Sequence, residues 1–276
     1  MYGYGNSLFL ATHSILARGA SGGGVSDADA QAFITAAAIT DPTQQTAINT
    51  LVVDLKGYSI WTKMKALYPI VGSTASQQKY NLKDPRDLDA AFRLVFSGGW
   101  THSSTGALPN GTNAYADTKL TPSTILSLNN SHLSFYSLSN TFAGKRLSIG
   151  SVNGLSSQHS ISLKSTSNNA NFSIDQGDAS FVNNNSTGFY IASRTANNSL
   201  KAYKNNSLVA TDPIDITPLS NPFKIYIGAL NGSNTIQSYD SKECAFASIG
   251  DGLTDAEALN FYTAVQAFQT TLGRQV

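Results

Sequence analysis

The spacing of apolar residues changes twice along this chain. From 25 to 80 it follows a helix, from 81 it breaks into short alternating runs, and near the end it turns helical again. In the first stretch Ser26 reads as a helix cap, with Asp27 and Asp29 in a first turn where the helix dipole favours negative charge. Ala30, Phe33, Ile34 and Ala37 make that helix's apolar stripe. Asp41-Pro42 opens a second helix, with Ile48, Leu51, Val52 and Leu55 on its face and Gly57 at its end. Ser59 starts a third, shorter helix through Trp61, Met64 and Leu67, stopped by Pro69. Three such helices have a thin core, so they are expected to pack on the rest of the chain or on another copy.

The strand-like region begins with a run over 88–96 that ends at Gly98-Gly99. A polar turn region follows, and Asn110-Gly111-Thr112-Asn113 leads into a short edge-like strand over 114–118. Further strands are predicted over 133–138, 146–150, 160–164, 171–174, 189–194, 200–204, 208–211, 223–228, 235–239 and 244–250, at the spacing of a β-sandwich. The strands at 200–204 and 208–211 flank Asn205-Asn206, a two-residue turn whose positions both call for positive φ. Thr254-Asp255-Ala256-Glu257 is a capping box, and the helix it opens carries Leu259, Tyr262, Val265, Phe268 and Leu272 on one stripe.

The order strand, Gly-rich turn, Gly111-Thr112-Asn113-Ala114-Tyr115, strand resembles the opening of concanavalin A-like (laminin-G-like) jelly rolls, above all those of tailed-bacteriophage virion proteins. Tyr203-Lys204-Asn205-Asn206 and the later Ile225-Tyr226-Ile227-Gly228 are similar to a hairpin and strand end common in that family, with Asn206 in place of the usual glycine. Residues 249–255 resemble its closing segment, and 26–85 resemble a module found ahead of the jelly roll in phage structural proteins. The stretch 155–187 carries no such mark. The resemblance implies a mainly β, concanavalin A-like β-sandwich jelly roll with an N-terminal helical unit and a C-terminal helix. It also implies a structural protein located in the virion: a head fibre, a decoration protein or a tail-associated protein.

Residues 1–24 are unlike a polar frayed end. Tyr2, Tyr4, Leu8, Phe9, Leu10, Ile15 and Leu16 precede a tether with Gly19 and Gly22-Gly23-Gly24. They read as a docking arm that buries this surface on a partner, the other reading being a frayed terminus. The expected organisation is therefore arm and tether over 1–24, helical unit over 25–80, and jelly roll with closing helix over 81–276. Partners expected from this layout are other virion proteins through the arm, and further copies of the chain.

Composition narrows the classes. Charged residues are 13%, about half the globular norm, and Ser, Thr, Asn and Gly take their place. Net charge is +1 with no Lys/Arg cluster, so nucleic acid and anionic membrane surfaces are not expected partners. No apolar run approaches the roughly 20 residues of a bilayer span, and no basic residue precedes Ser7–Ala11, so neither membrane insertion nor an ordinary secretory signal is expected. Cys244, the single cysteine, excludes an intrachain disulfide and a cysteine zinc site, and reads as a buried thiol.

Catalytic patterns are sparse. Glucanases of this fold use paired glutamates on one strand, whereas this chain has only Glu243, without an i+2 carboxylate, and Glu257, committed to the capping box. His13, His102, His132 and His159 lie far apart, and no nucleophile elbow or phosphate loop occurs. No enzyme activity and no cofactor is expected, with an Asp-based hydrolase as the least favoured alternative. Asp175 with Asp178, or Asp251 with Asp255, are the places a structural calcium would sit, though a helix cap explains the second pair more simply. Alternation with Phe189, Ile191, Leu200, Ala202, Phe223, Ile225 and Ile227 inward puts Tyr190, Arg194, Lys201, Tyr203, Lys224 and Tyr226 on the other face. Tyr190, Arg194, Tyr203 and Tyr226 are thus the candidate ligand residues, suited to stacking on sugar rings, as in a free lectin or a virion protein that attaches to surface glycans. The competing reading is an ordinary set of cross-strand pairs.

Overall fold

The computed structural model describes residues 24–141, 146–154 and 157–276. The arm residues Tyr2, Tyr4, Leu8, Phe9, Leu10, Ile15 and Leu16 lie outside them. Asp27 rather than Ser26 caps α1 (Ala28–Ala36), its carboxylate accepting from the N–H groups of Asp29 and Ala30. Asp41 caps α2 (Pro42–Gly57) by accepting from Gln44 N–H. The expected third helix is a single 3-10 turn at Trp61–Lys63 followed by strand β1 (Met64–Tyr68). Ser59 at φ 60° turns the chain out of α2, and the few residues left before Pro69 gain more from sheet pairing than from an isolated helical turn.

After α3 (Ala75–Gln78) come β2 (Val95–Ser97), β3 (Trp100–His102), β4 (Ala107–Pro109), β5 (Tyr115–Asp117) and α4 (Pro122–Ile125). The longer strands are β6 (Ser131–Ser137), β7 (Ile149–Asn153), β8 (Ser157–Ser162), β9 (Asn169–Asp175), β10 (Gly177–Val182), β11 (Gly188–Arg194), β12 (Leu200–Lys204) and β13 (Ser207–Asp212). Then β14 (Tyr226–Ile227), β15 (Leu230–Gly232), β16 (Thr235–Gln237) and β17 (Cys244–Gly250) lead into α5 (Asp255–Thr271). The strand expected over 88–96 shrinks to β2, because Asp89–Ala91 is a 3-10 turn and Phe92 sits at φ 58°. In the β12–β13 turn only Asn205 has positive φ, and its side-chain oxygen accepts from Phe189 N–H, tying the hairpin to β11.

These strands form two sheets packed as a sandwich. Sheet one runs β13-β12-β11-β6-β17-β4-β3, with β1 also paired antiparallel to β17. Sheet two runs β10-β9-β8-β7-β14-β5-β2, extended by the β15–β16 hairpin beside β7. Leu133, Phe135, Tyr190, Ala192 and Ile249 of sheet one meet Ile149, Ile161, Phe172, Ile174 and Ile227 of sheet two. The other face of sheet one is covered too: Tyr136, Phe189, Ile191, Tyr203 and Phe246 pack against α1, α2 and α5. Phe189, Phe246 and Phe261 meet edge to face at 5.2–5.9 Å. Each such side chain contributes roughly 1.5–3 kcal/mol by burial, and edge-to-face contact adds about 0.5–1.5 kcal/mol. The layers are therefore helices, sheet one and sheet two. The segment 25–80 shares its apolar cluster with sheet one, and β1 makes it part of that sheet.

Candidate functional site

The four residues expected on one tyrosine face do not share a surface. Tyr190 is buried between the sheets, its hydroxyl donating toward the carbonyls of Asn185 and Thr187 and accepting from Asn183 Nδ2. Tyr203 points the other way, under α5, and donates to Asp255 Oδ1 at 2.7 Å. Burial holds both phenols well above their ordinary pKa. Arg194 has no exposed surface; its Nε donates to the Ile174 carbonyl and its Nη1 to those of Ala196 and Asn197, in a polar end of the interior that also holds His159, Ser131 and Asn221. The physical reason is that sheet one has cover on both faces, so both sets of its alternating residues are interior. Of the four, only Tyr226 reaches an open surface.

That surface is the outer face of sheet two. Across the β5–β14 pair, Ala116 and Ile227 turn inward, and Tyr115, Asp117 and Tyr226 turn outward. The half-buried rings of Tyr115 and Tyr226 lie 5.0 Å apart, tilted by 30°. Asp117 pairs with Lys119 at 3.1 Å and with Lys224 at 3.8 Å, and Lys224 is 46% exposed. Burial and the neighbouring Asp117 raise the Tyr226 pKa, so the phenol stays a hydrogen-bonding hydroxyl. Beside the rings the sheet continues in small residues that form a buried floor: Tyr226 is opposite Gly150, Gly150 opposite Ser160, and Ser160 opposite Ser173. A Cβ at Gly150 would lie 2.5 Å from that of Ser160, so only glycine fits this floor.

At the neighbouring edge, Phe96, Trp100 and His102 close the gap between the sheets, with ring contacts of 5.2 and 4.7 Å at Phe96. Trp100 Nε1 donates to the carbonyls of Ser97 and Tyr115, which joins this edge to the tyrosine pair. Half-exposed aromatic faces beside hydroxyl and charged groups can stack on a sugar ring and bond its hydroxyls. The expectation missed Tyr115, although alternation over 223–228 does place Lys224 and Tyr226 outward. Its pairing with Tyr226 joins strands over a hundred residues apart, which no local pattern shows.

The remaining candidates have other partners. Glu257 completes the capping box with Thr254 and pairs with Lys63 at 2.6 Å, while Glu243 accepts from Thr105 Oγ1. Asp251 pairs with Lys65, and Asp255 with Lys201. Asp175 accepts from Leu219 N–H and Asp178 from Asn171 Nδ2. No group of three or more His, Cys, Asp or Glu among the described residues is arranged to hold a metal ion. Cys244 is buried, and burial pushes its thiol pKa up, which makes it inert.

No protein-family model matches the chain. No curated protein matches it. A solved structure of botulinum neurotoxin type C, which interacts with two ganglioside molecules, matches with a TM-score of 0.53 at 12% identity, over 75% of this chain and 52% of that one. The chain thus spans about half the length of that structure. Domain 4 of an extracellular arabinanase from Geobacillus stearothermophilus, in complex with arabinotriose, matches with a TM-score of 0.45 at 14% identity, over 72% of this chain and 98% of the domain. The first likeness establishes the β-sandwich fold.

Proposed function

We propose that the outer face of sheet two binds glycans, and that the chain is a non-enzymatic, lectin-like structural component of a bacteriophage virion that attaches to surface sugars. The half-exposed Tyr115–Tyr226 pair, flanked by Asp117 and the exposed Lys224, carries the glycan assignment. A non-enzymatic role is favoured by the engagement of both glutamates in a helix cap and a loop contact. The virion assignment draws on the sequence resemblance and on the apolar arm, which would dock the protein to other virion proteins or to further copies. A free lectin would use the same face and have no use for the arm.

Glycan-array binding tests the face. Losing one stacking ring removes roughly 1.5–3 kcal/mol of burial, about a 10- to 150-fold loss of affinity. Tyr115→Ala and Tyr226→Ala are expected to show that loss with a nearly unchanged melting temperature. Tyr190→Ala, a core truncation, is expected to cost about 3–5 kcal/mol of stability instead. Glycan binding that survives both outer-face substitutions, or no binding by the unaltered protein across a broad array, would overturn the assignment.

A further inference from the structure

A cleft of about 290 Å³ opens between α3 and β2, lined by Ser76, Lys79, Arg93, Val95 and Phe96 among others. It adjoins the tyrosine pair. Val95 is opposite Asp117 in the β2–β5 ladder, and Asp117 is opposite Tyr226. Two strand spacings, roughly 10 Å, therefore separate the cleft from the rings.

A ladder of ion pairs joins the two places. Lys79 and Arg93 share Asp87 at 2.5 and 2.8 Å, and Arg93 also holds Asp89 at 2.9 Å. Lys119 bridges Asp89 at 3.6 Å and Asp117 at 3.1 Å, and Lys224 completes the run on Asp117. The ladder has four cations (Lys79, Arg93, Lys119, Lys224) and three carboxylates (Asp87, Asp89, Asp117), so one positive charge is left over. The carboxylates that hold Lys79 and Arg93 are more open than the cations: the Asp87 and Asp89 side chains are 42% and 57% exposed, against 25% for Lys79 and 32% for Arg93. Solvent-exposed pairs of this kind are weak, so an incoming carboxylate can share or take their cations. Arginine supplies the planar fork that a carboxylate matches, and Phe96 supplies an apolar wall for a ring.

We infer that this cleft is a subsite for the carboxylate of an acidic sugar, whose neighbouring residue in the same oligosaccharide lies on Tyr115 and Tyr226. This rests on the glycan reading of sheet two and narrows it to acidic glycans. The cleft is small enough to take one sugar residue, below the usual range for drug-sized ligands.

The full chain is titrated calorimetrically with a sialylated oligosaccharide, its desialylated counterpart and a glucuronate-terminated oligosaccharide, which separates the two common sugar acids. At least one acidic ligand is expected to bind ten-fold or more tighter than the neutral one, and less so at high salt. Lys79→Gln and Arg93→Gln, both at exposed pairs, are each expected to bring that ligand down to the neutral level without changing neutral binding. Equal affinity for acidic and neutral ligands, or equal loss of both in the cation variants, would overturn the subsite. If Tyr226→Ala leaves all binding intact while the cation variants still abolish discrimination, the tyrosine assignment fails and the cleft stands. If no oligosaccharide binds, free N-acetylneuraminate and glucuronate are titrated by NMR. Shifts confined to residues 76–79 and 93–96 then support the cleft, and their absence overturns it.

Discussion

Lowering the pH from 7.5 to 5 should cost this fold about 4 kcal/mol, and two histidines should account for it. His132 and His159 have no exposed surface, and burial pulls each to about 4 from an ordinary value of 6.5. His132 places Nδ1 2.7 Å from the Asp251 carbonyl and Nε2 2.9 Å from Ser248 Oγ, a neutral ring with both nitrogens occupied. His159 has Nδ1 near Asn221 and the Arg194 charge close by, which opposes protonation further. Because the folded values are depressed, the unfolded chain takes up the protons. Stability is fully present above 6.5 and is lost as pH falls from there through about 4. At pH 5 linkage gives about 2 kcal/mol per histidine, while ordinary carboxylates, titrating near 4, add only about 0.1 kcal/mol each. Asp175, raised by burial, has the opposite sign and offsets a fraction of the loss. Urea unfolding across this range should show uptake of nearly two protons near pH 5.3, a slope of roughly 2.4 kcal/mol per pH unit. A double variant, His132→Asn with His159→Gln, should be less stable at pH 7.5 yet nearly flat with pH. A wild-type stability at pH 5 within about 1 kcal/mol of that at pH 7.5, or an unchanged slope in the double variant, would refute the reasoning.

Two further outcomes are expected. Arg274 is buried, held at about 10 by burial and so still charged, and donates to the carbonyls of Pro69, Ile70, Thr105 and Ala245; Arg274→Ala strands these acceptors and should cost on the order of 3 kcal/mol in urea unfolding. A chain starting at Val25 should keep the fold, since α1 has its own cap at Asp27, yet fail to enter particles or oligomers; normal incorporation, read by sedimentation, would make residues 1–24 a frayed end.

Local chemistry was legible in the sequence where a few adjacent residues decide it. The Thr254 capping box and the Asp41-Pro42 helix start stand as read, and Asn205 turns its hairpin as the Asn-Asn pair suggests. Reading failed where distant elements decide. Met64–Tyr68 has helical spacing but joins β17, a partner about 180 residues away. Tyr190 and Tyr203 alternate as expected, but nothing local says that α5 covers one face of sheet one and sheet two the other. Arg194 looks like a surface charge because arginine usually is. Its burial depends on carbonyls from two separate segments meeting at the sandwich end.

The same layering explains why a ligand surface falls on sheet two. The apolar sides of α1, α2 and α5 need cover, and the outward side chains of β6, β11 and β17 supply it. Among the described residues α1, α2 and α5 pack on sheet one and not on sheet two, whose outward residues around the centre are the half-buried Tyr115 and Tyr226 with the buried, small or polar Asp117, Gly150, Ser160 and Ser173. An apolar set there would be an aggregation liability, whereas tyrosines among small polar groups tolerate both water and a partner. Val25 packs against the cluster that α1, α2 and α5 share with sheet one, on the far side of that sheet from the tyrosine pair. Assembly and sugar binding should then be separable: removing residues 1–24 should leave glycan affinity unchanged, and Tyr226→Ala should leave assembly unchanged.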